Sequence, residues 1–461
     1  MFTVSEILEA TQGKLIRGNP NAIVTNISID SRTIKKKDAF IAILGKQFDG
    51  HQFITDAINR GAETIIVHKI ENTLEQATNV ILVSNTKDAL LQLASYYRQK
   101  FPVRVIAISG SNGKTTTKEM AAHILAQNFQ VVKAPNSFNN DIGVPLTLFQ
   151  IRPETEIVVL EMEMNEPGGI TKLAQIAMPE IGVITNIGDT HLEFLKDRQG
   201  VAKEKQELLE VISEHGSVVL NRDDPWVVKI ARPFRFYKKL FFGIKSKKGD
   251  LWAERIMSLS EDGIECLING KYFLRLKIPG IYNIYNALAA IGVGVLLDLK
   301  ISDMVDNLAN FIPPSMRMEK ITLLNGITIF NDAYNANPQS MLAALFAFSN
   351  FSTSGRKIAV LGDMCELGAQ TISLHQLVGK EFPNGIDILV TVGKYAHYIG
   401  QEAQKKNLAL QIYKCCDLND VYNNLVDIFK NNDKILIKGS RAMKMETIVE
   451  KLITRYGRKT N

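Results

Sequence analysis

The chain has 461 residues, 46% of them hydrophobic and 22% charged, and its 54 Lys and Arg against 48 Asp and Glu leave a net charge of +6. This balance is globular and excludes a disordered or fibrous chain, and at roughly 150 residues per domain the length predicts about three domains. The longest apolar run, residues 287–297, contains Gly292 and Gly294 and is too short to span a bilayer, while Glu6 and Glu9 near the start do not fit a signal peptide. A cytoplasmic protein without membrane insertion is expected.

Cys266, Cys365, Cys415 and Cys416 form no C-x-x-C spacing and do not cluster with histidines, which argues against a disulfide scaffold or a zinc site. Cys415 and Cys416 read as reduced thiols near a strand end. The basic runs at 35–37 and 245–248 are short and read as solvated loops. A mild positive charge suits small polyanions such as nucleotides and gives little support to nucleic-acid binding.

Taken in chain order, residues 1–100 predict a small α/β domain, with strand-like segments at 23–29, 39–43, 64–67 and 80–83 and a helical pattern at 52–60. A boundary is read at Phe101-Pro102. Beyond it, apolar runs rich in Val and Ile at 103–108, 156–162, 181–186 and 217–221 alternate with helical patterns at 114–127 and 198–213. That alternation predicts a parallel sheet covered by helices. Residues 237–278 read as antiparallel strands before a long helix at 283–297. A second boundary is placed at Pro313-Pro314, which no helix crosses. The domains are therefore 1–100, 101–313 and 314–461. The last repeats the α/β rhythm, with strands at 357–361, 386–392 and 434–437 ending in Gly362-Asp363, Gly393-Lys394 and Lys438-Gly439-Ser440-Arg441. These polar tips read equally as ligand residues at strand ends or as ordinary turns.

The sharpest motif is Gly110-Ser111-Asn112-Gly113-Lys114-Thr115-Thr116, placed after a strand and opening a helix. Glycines let successive N–H groups curl inward at a helix N-terminus and form an anion cradle. Lys114 then faces the β/γ-phosphates and the Thr115 hydroxyl ligates Mg²⁺. The strict pattern needs glycine where Ile108 stands, so this is the shorter G-x-x-G-K-T form. Such a loop binds nucleotides but names no reaction, since kinases, motors and ligases share it.

Other polar residues refine the choice. Glu161 follows four apolar residues, a position from which a second-strand carboxylate reaches Mg²⁺; the alternative is a helix cap. His191 lies past another strand end and reads either as a structural histidine or as a ligand, although Mg²⁺ prefers oxygen. Lys203 and Lys205 read from composition as solvated lysines. Asp223-Asp224-Pro225 reads as a helix cap with Pro in the first turn.

These residues, with Ser137-Phe138-Asn139-Asn140-Asp141-Ile142-Gly143, Asn331-Asp332-Ala333-Tyr334-Asn335-Ala336-Asn337-Pro338 and Leu361-Gly362-Asp363-Met364-Cys365-Glu366-Leu367-Gly368, resemble the Mur ligases. The Asp30-Ser31-Arg32 and Asp49-Gly50-His51 segments extend the likeness across the chain. The second and third of these stretches point to the member that handles a dipeptide, and the Asp-Asn-Pro-Arg motif of the member adding the third peptide residue is absent.

The resemblance implies a UDP-sugar domain, a central ATPase of phosphate-loop type, and a Rossmann-like domain closing over an amine. It implies ATP-driven amide synthesis through an acyl phosphate, with UDP-N-acetylmuramoyl-tripeptide and D-alanyl-D-alanine as substrates, in a monomer. It places Thr115, Glu161 and His191 at magnesium and Lys205 at a carbamylated position, judged by its spacing to Leu208-Leu209, with Lys203 the alternative. Asn283, Arg317 and Asp332 match residues holding adenine, phosphates and ribose; Ser31 and Arg32 match the uridine site; Asn139, Asn140, Asn335 and Asn337 are assigned to substrate. The chain departs from the family at Glu163, where Gly is usual, at Gly169, where an acid commonly precedes the isoleucine, and at Tyr282, where His commonly precedes Asn283.

Overall fold

The computed structural model describes residues 1–45, 48–70, 72–247 and 249–459, so Lys248 of the second basic run lies outside the described residues. Three α/β bodies follow one another along the chain, each on its own main sheet. The first sheet has five strands in the order Lys14–Arg17, Asn79–Leu82, Thr64–Val67, Ala39–Ile41 and Ile27–Ser28, parallel except at the Lys14–Arg17 edge. The strand expected at 23–29 is two short strands on different sheets, because Ile23–Val24 pairs instead with Phe2–Thr3. Helix Thr86–Gln99 closes this body, capped by Asn85, whose side chain accepts from the N–H groups of Lys87 and Asp88. Its buried face carries Ala89, Leu90, Leu93, Ala94 and Tyr97. Arg98, on the same helix, donates to the carbonyls of Ala177, Phe101 and Val103 at 2.8–3.1 Å and so ties the first body to the second.

The central sheet has nine strands. Arg104–Ser109 lies between Ile157–Glu161 and Ile181–Ile184, then come Ser217–Asn221 and Lys238–Gly243, all parallel. The first four of these strands are buried on both faces, which accounts for their runs of Val, Ile and Leu. The reading of 237–278 as wholly antiparallel is corrected at its start. Lys238–Gly243 follows helix Pro225–Ala231, and that crossover returns the chain parallel to Ser217–Asn221. Antiparallel pairing begins with Leu251–Ser260, Gly263–Ile268 and Tyr272–Leu276. Helices Lys114–Leu125 and Tyr282–Leu296 pack against one another over one face of the sheet, joining Met120, Ala121 and Ile124 to Ile284, Leu288 and Ile291 in one apolar cluster.

The third sheet has six strands in the order Glu319–Thr322, Thr328–Asn331, Lys434–Lys438, Lys357–Gly362, Ile388–Val392 and Gln411–Cys415. All are parallel except the Glu319–Thr322 hairpin pair. Cys415 ends its strand buried and Cys416 follows it exposed, both as free thiols. Among the described residues, no helix is long and apolar enough to cross a membrane.

Candidate active site

Residues at or just beyond the strand ends of the central and third sheets line one cavity of about 850 Å³, among them Glu161, Thr185 and Asn221 from one and Asp332, Lys438 and Ser440 from the other. At its floor is the glycine loop. Gly110 and Gly113 hold φ of +140° and +83°. A Cβ would stand 2.0 Å from Thr185 Oγ1 at the first and 2.2 Å from Asn286 Oδ1 at the second, so both positions need glycine for conformation and for space. The loop is braced by the next strand end, with Ser111 N donating to Asn186 O at 2.9 Å and Asn112 N to Asn186 Oδ1 at 3.0 Å. Helix Lys114–Leu125 then starts with its N-terminus at the cavity, where its unpaired N–H groups and dipole favour an anion.

Four charged groups form a chain across the cavity. Lys114 Nζ donates to Gly110 O at 2.8 Å and pairs with Glu163 Oε1 at 2.6 Å. Glu163 Oε1 also meets His191 Nε2 at 3.2 Å, and His191 Nδ1 meets Glu366 Oε2 of the third body at 2.5 Å. Burial opposes charge on His191, but the bonds to Glu163 and Glu366 outweigh it and raise its pKa to about 9. Burial likewise opposes charge on Glu163, yet Lys114, His191 and Lys205 hold its carboxyl well below the usual range.

Beside this chain, Thr115 Oγ1 donates to Glu161 Oε2 at 2.8 Å, and Asn139 Nδ2 donates to Glu161 Oε1 at 2.8 Å. Glu161 closes its strand and caps no helix. Among the described residues, no group of three or more His, Cys, Asp or Glu side chains has metal-holding geometry. Thr115 and Glu161 nevertheless supply adjacent oxygens at a phosphate loop, the donor set that fits Mg²⁺ when nucleotide phosphates complete the shell. His191 is held between the carboxylates of Glu163 and Glu366 in this arrangement, beside the Thr115–Glu161 pair.

Lys205 corrects the reading of both helix lysines as solvated. Its side chain is fully buried, in ion-pair contact with Glu204 at 2.7 Å but without a hydrogen bond, while Lys203 is exposed. Both lie on helix Arg198–Val211, where a step of two residues reverses the face presented. Asp224 caps helix Pro225–Ala231 from its N-terminus with Pro225 in the first turn, as the sequence indicates.

The third body reaches in from the opposite side. Arg317 Nη2 donates to Thr115 Oγ1 at 3.0 Å, and its guanidinium lies 4.2 Å from the centre of the Tyr334 ring. Asp332 accepts from Lys438 Nζ at 2.6 Å and from Met318 N at 3.1 Å. Asn337 Nδ2 donates to Asn112 Oδ1, and Gln339 Nε2 to Asp189 Oδ2, both at 2.7 Å. Of the three polar strand tips, Lys438, Ser440 and Arg441 line the cavity. Asp363 is instead a turn residue, accepting from the N–H groups of Lys394, Tyr395 and Ala396.

The structure thus gathers Ser111, Asn112, Gly113, Lys114, Thr115, Thr116, Asn139, Glu161, His191, Asn283, Arg317, Asp332, Asn335 and Asn337 around one cavity. Gly110 lies beneath it, and Lys205 lies behind it near Glu163 and His191. Ser31 and Arg32 are elsewhere, on a single turn of the first body, with Arg32 exposed and paired to Asp30 at 2.8 Å. Asn140 lies outside the lining too; its Oδ1 accepts from the N–H groups of Ile142 and Gly143 and shapes the start of helix Gly143–Leu148. Asp189, Gln339 and Asn286 escaped the sequence reading, because each acts through a contact with a residue far along the chain.

Comparison with known proteins agrees with this architecture. Residues 23–98 match the catalytic domain of the Mur ligase family, 108–294 the Mur ligase middle domain and 316–441 the Mur ligase glutamate ligase domain. A UDP-N-acetylmuramoyl-tripeptide–D-alanyl-D-alanine ligase of Bacillus subtilis (strain 168) is 34% identical over 98% of this chain and 98% of its own. Its Escherichia coli (strain K12) namesake is 31% identical, again over 98% of both. Among solved structures, MurF from Acinetobacter baumannii superposes with a TM-score of 0.87 at 28% identity, covering 98% of this chain and 99% of that one. MurF ligase from Thermotoga maritima in complex with ADP gives 0.80 at 29% identity, over 92% and 96%.

Proposed function

The chain belongs to the Mur ligase family, and we propose that it uses ATP to join D-alanyl-D-alanine to UDP-N-acetylmuramoyl-tripeptide, forming the pentapeptide precursor of peptidoglycan. The observation that carries this reading is the shared cavity. A phosphate loop from the central sheet and a cationic set from the third body, Arg317, Lys438 and Arg441, line the same space. The domains are assigned as 1–100 for the UDP-sugar, 101–313 for ATP and 314–461 for the dipeptide, in a cytoplasmic monomer whose cavity is completed by a single chain.

Lys114, at the helix N-terminus, neutralises charge on the phosphoryl group as the tripeptide's terminal carboxylate attacks it. Mg²⁺, held by Thr115 and Glu161, supplies further charge stabilisation at the phosphates when bound. Arg317 brings a guanidinium to the Thr115 hydroxyl and the phosphate end of the cavity. Asn283 and Asp332 are assigned to adenine and ribose, and Ser31 and Arg32 to the uridine nucleotide. ADP leaves as the acyl phosphate forms; the dipeptide amine then attacks that carboxyl, loses a proton and expels phosphate, leaving the amide. The contacts of Asn337 with Asn112, Gln339 with Asp189 and Glu366 with His191 hold the third body against the central one, which keeps water from that activated carboxyl.

Lys205 is assigned as the carbamylated lysine. Its buried ammonium has the Glu204 ion pair at 2.7 Å but no hydrogen bond; after loss of a proton, the neutral amine would take up CO₂ and release a second proton, giving an anionic oxygen donor beside the site.

The test is phosphate release with UDP-N-acetylmuramoyl-tripeptide and ATP, with and without D-alanyl-D-alanine. Release that requires the dipeptide, with a product of pentapeptide mass, is expected. Release with a single amino acid but not the dipeptide would indicate a ligase acting on another acceptor. No release with any pair would leave a nucleotide-binding protein without ligation.

A further inference from the structure

Glu163 belongs to the cavity but has no part in the chemistry above. Its carboxylate is paired with the Lys114 ammonium, the group that such a loop directs at the β/γ-phosphates. The Lys114 ammonium has three N–H donors, and its neighbours are Gly110 O at 2.8 Å, Ser111 O at 3.4 Å and Glu163 Oε1 at 2.6 Å. Two of those acceptors are the loop's own carbonyls, which persist as long as the loop keeps its shape. The third is the one a phosphate oxygen must displace.

Glu163 is also prevented from swinging away. Its backbone N–H donates to Asn139 O at 2.9 Å, its Oε2 accepts from Asn139 Nδ2 at 3.2 Å, and its Oε1 meets His191 Nε2 at 3.2 Å. When Lys114 turns to a phosphate, Glu163 therefore remains beside it as a fixed negative charge, close to the carboxylate of Glu161 that shares Asn139. The ligand loses part of the attraction of the lysine and meets a like charge. Both effects act most on the outermost phosphate, because the lysine of such a loop serves the β/γ-phosphates.

We propose that Glu163 is an internal stand-in for the terminal phosphate of ATP, competing for Lys114 through their ion pair and lowering the affinity of the loop for the triphosphate. It is a positioning residue, acting through Lys114, and the inference rests on the nucleotide reading of the loop. Its consequence is weaker ATP binding than the loop alone would give, with discrimination between ATP and ADP set partly by a side chain that touches neither sugar nor base.

The test is calorimetric titration of the full-length protein with ATP, ADP and AMP in the presence of Mg²⁺, comparing wild type with Glu163→Gln and Glu163→Ala. Glu163→Gln keeps the shape and removes the charge; Glu163→Ala removes both. ATP is expected to bind about ten-fold more tightly to both variants, the scale of one charge-assisted hydrogen bond. ADP should gain less and AMP should be unchanged, a graded pattern that a merely structural role would not produce. Unchanged or weaker ATP binding in both variants overturns the inference, as does an AMP gain equal to that of ATP. Failure of wild type to bind any nucleotide would remove the nucleotide reading and this inference together, whereas equal ATP affinity in all three proteins removes this inference alone.

Discussion

Asn337 donates its Nδ2 to Asn112 Oδ1 at 2.7 Å while its own Oδ1 accepts from Ser340 N at 2.9 Å. One amide thus caps helix Pro338–Ser349 and fastens the third body to the phosphate loop. The two roles separate by substitution. Asn337→Asp keeps a good cap but turns an oxygen towards Asn112 Oδ1, so melting temperature should hardly move while kcat/KM falls by about 10- to 100-fold. Asn337→Ala should lower activity and also remove about 1 kcal/mol of stability. Thermal melts beside the phosphate-release assay read both; equal melting losses in the two variants would contradict the division.

Lys114→Ala removes the ammonium that serves the transferring phosphoryl group. Turnover should fall by about 10³-fold or more, as for loss of a major electrostatic contact to a transition state. UDP-N-acetylmuramoyl-tripeptide should still bind with its normal affinity, measured by calorimetry, because its nucleotide is assigned to another body. Retained ligation in this variant would sink the proposed mechanism.

The pH dependence of stability should carry the signature of His191. Its folded pKa of about 9 lies above the ordinary value of 6.5, because its two carboxylate partners overcome burial. The contribution is therefore fully present below about pH 6.5 and is lost as pH rises through about 9. It amounts to no more than about 3 to 4 kcal/mol, since each tenfold gain in proton affinity on folding is worth about 1.4 kcal/mol. Denaturant melts of wild type and His191→Gln, without nucleotide and with a chelator, should differ most near pH 6 and converge above about pH 9. A difference that grew with pH would have the wrong sign.

The assignment of the modified lysine is open to direct observation. After incubation with ¹³C-bicarbonate, wild type should give a carbamate carbonyl resonance. The signal should persist in Lys203→Ala and vanish in Lys205→Ala, and ligase activity should follow the same pattern. A resonance that survived Lys205→Ala would move the modification to another residue.

Much of this was legible in the sequence because the signals were local. The alternation of Val- and Ile-rich runs with helical patterns revealed two parallel sheets, and the loop from Gly110 to Thr115 declared itself by its place between strand and helix. Asp224 and Pro225 announced a helix start for the same reason. Long-range contacts were hidden. The burial of Lys205 depends on which face of its helix meets the core, and charge alone suggested the surface. Nothing near Gln339 indicates Asp189, some 150 residues earlier in the chain. Strands such as Thr328–Asn331 and Gln411–Cys415 escaped because polar residues interrupt them: only Ile329 and Phe330 are apolar in the first, and Gln411 and Lys414 break the second.

Gly113 owes its lack of room to Asn286, whose side chain also takes a hydrogen bond from Thr117 at 3.4 Å and donates one to Asn283 at 2.9 Å. The shape of the loop is therefore enforced by helix Tyr282–Leu296, encoded about 170 residues downstream. A fragment designed to isolate the nucleotide site cannot stop at the last parallel strand, where the sequence motifs would suggest cutting. Truncated before Tyr282, it would keep every residue of the cradle and lose the buttress that gives the cradle its form. The smallest autonomous nucleotide-binding piece of this protein has to extend through Leu296.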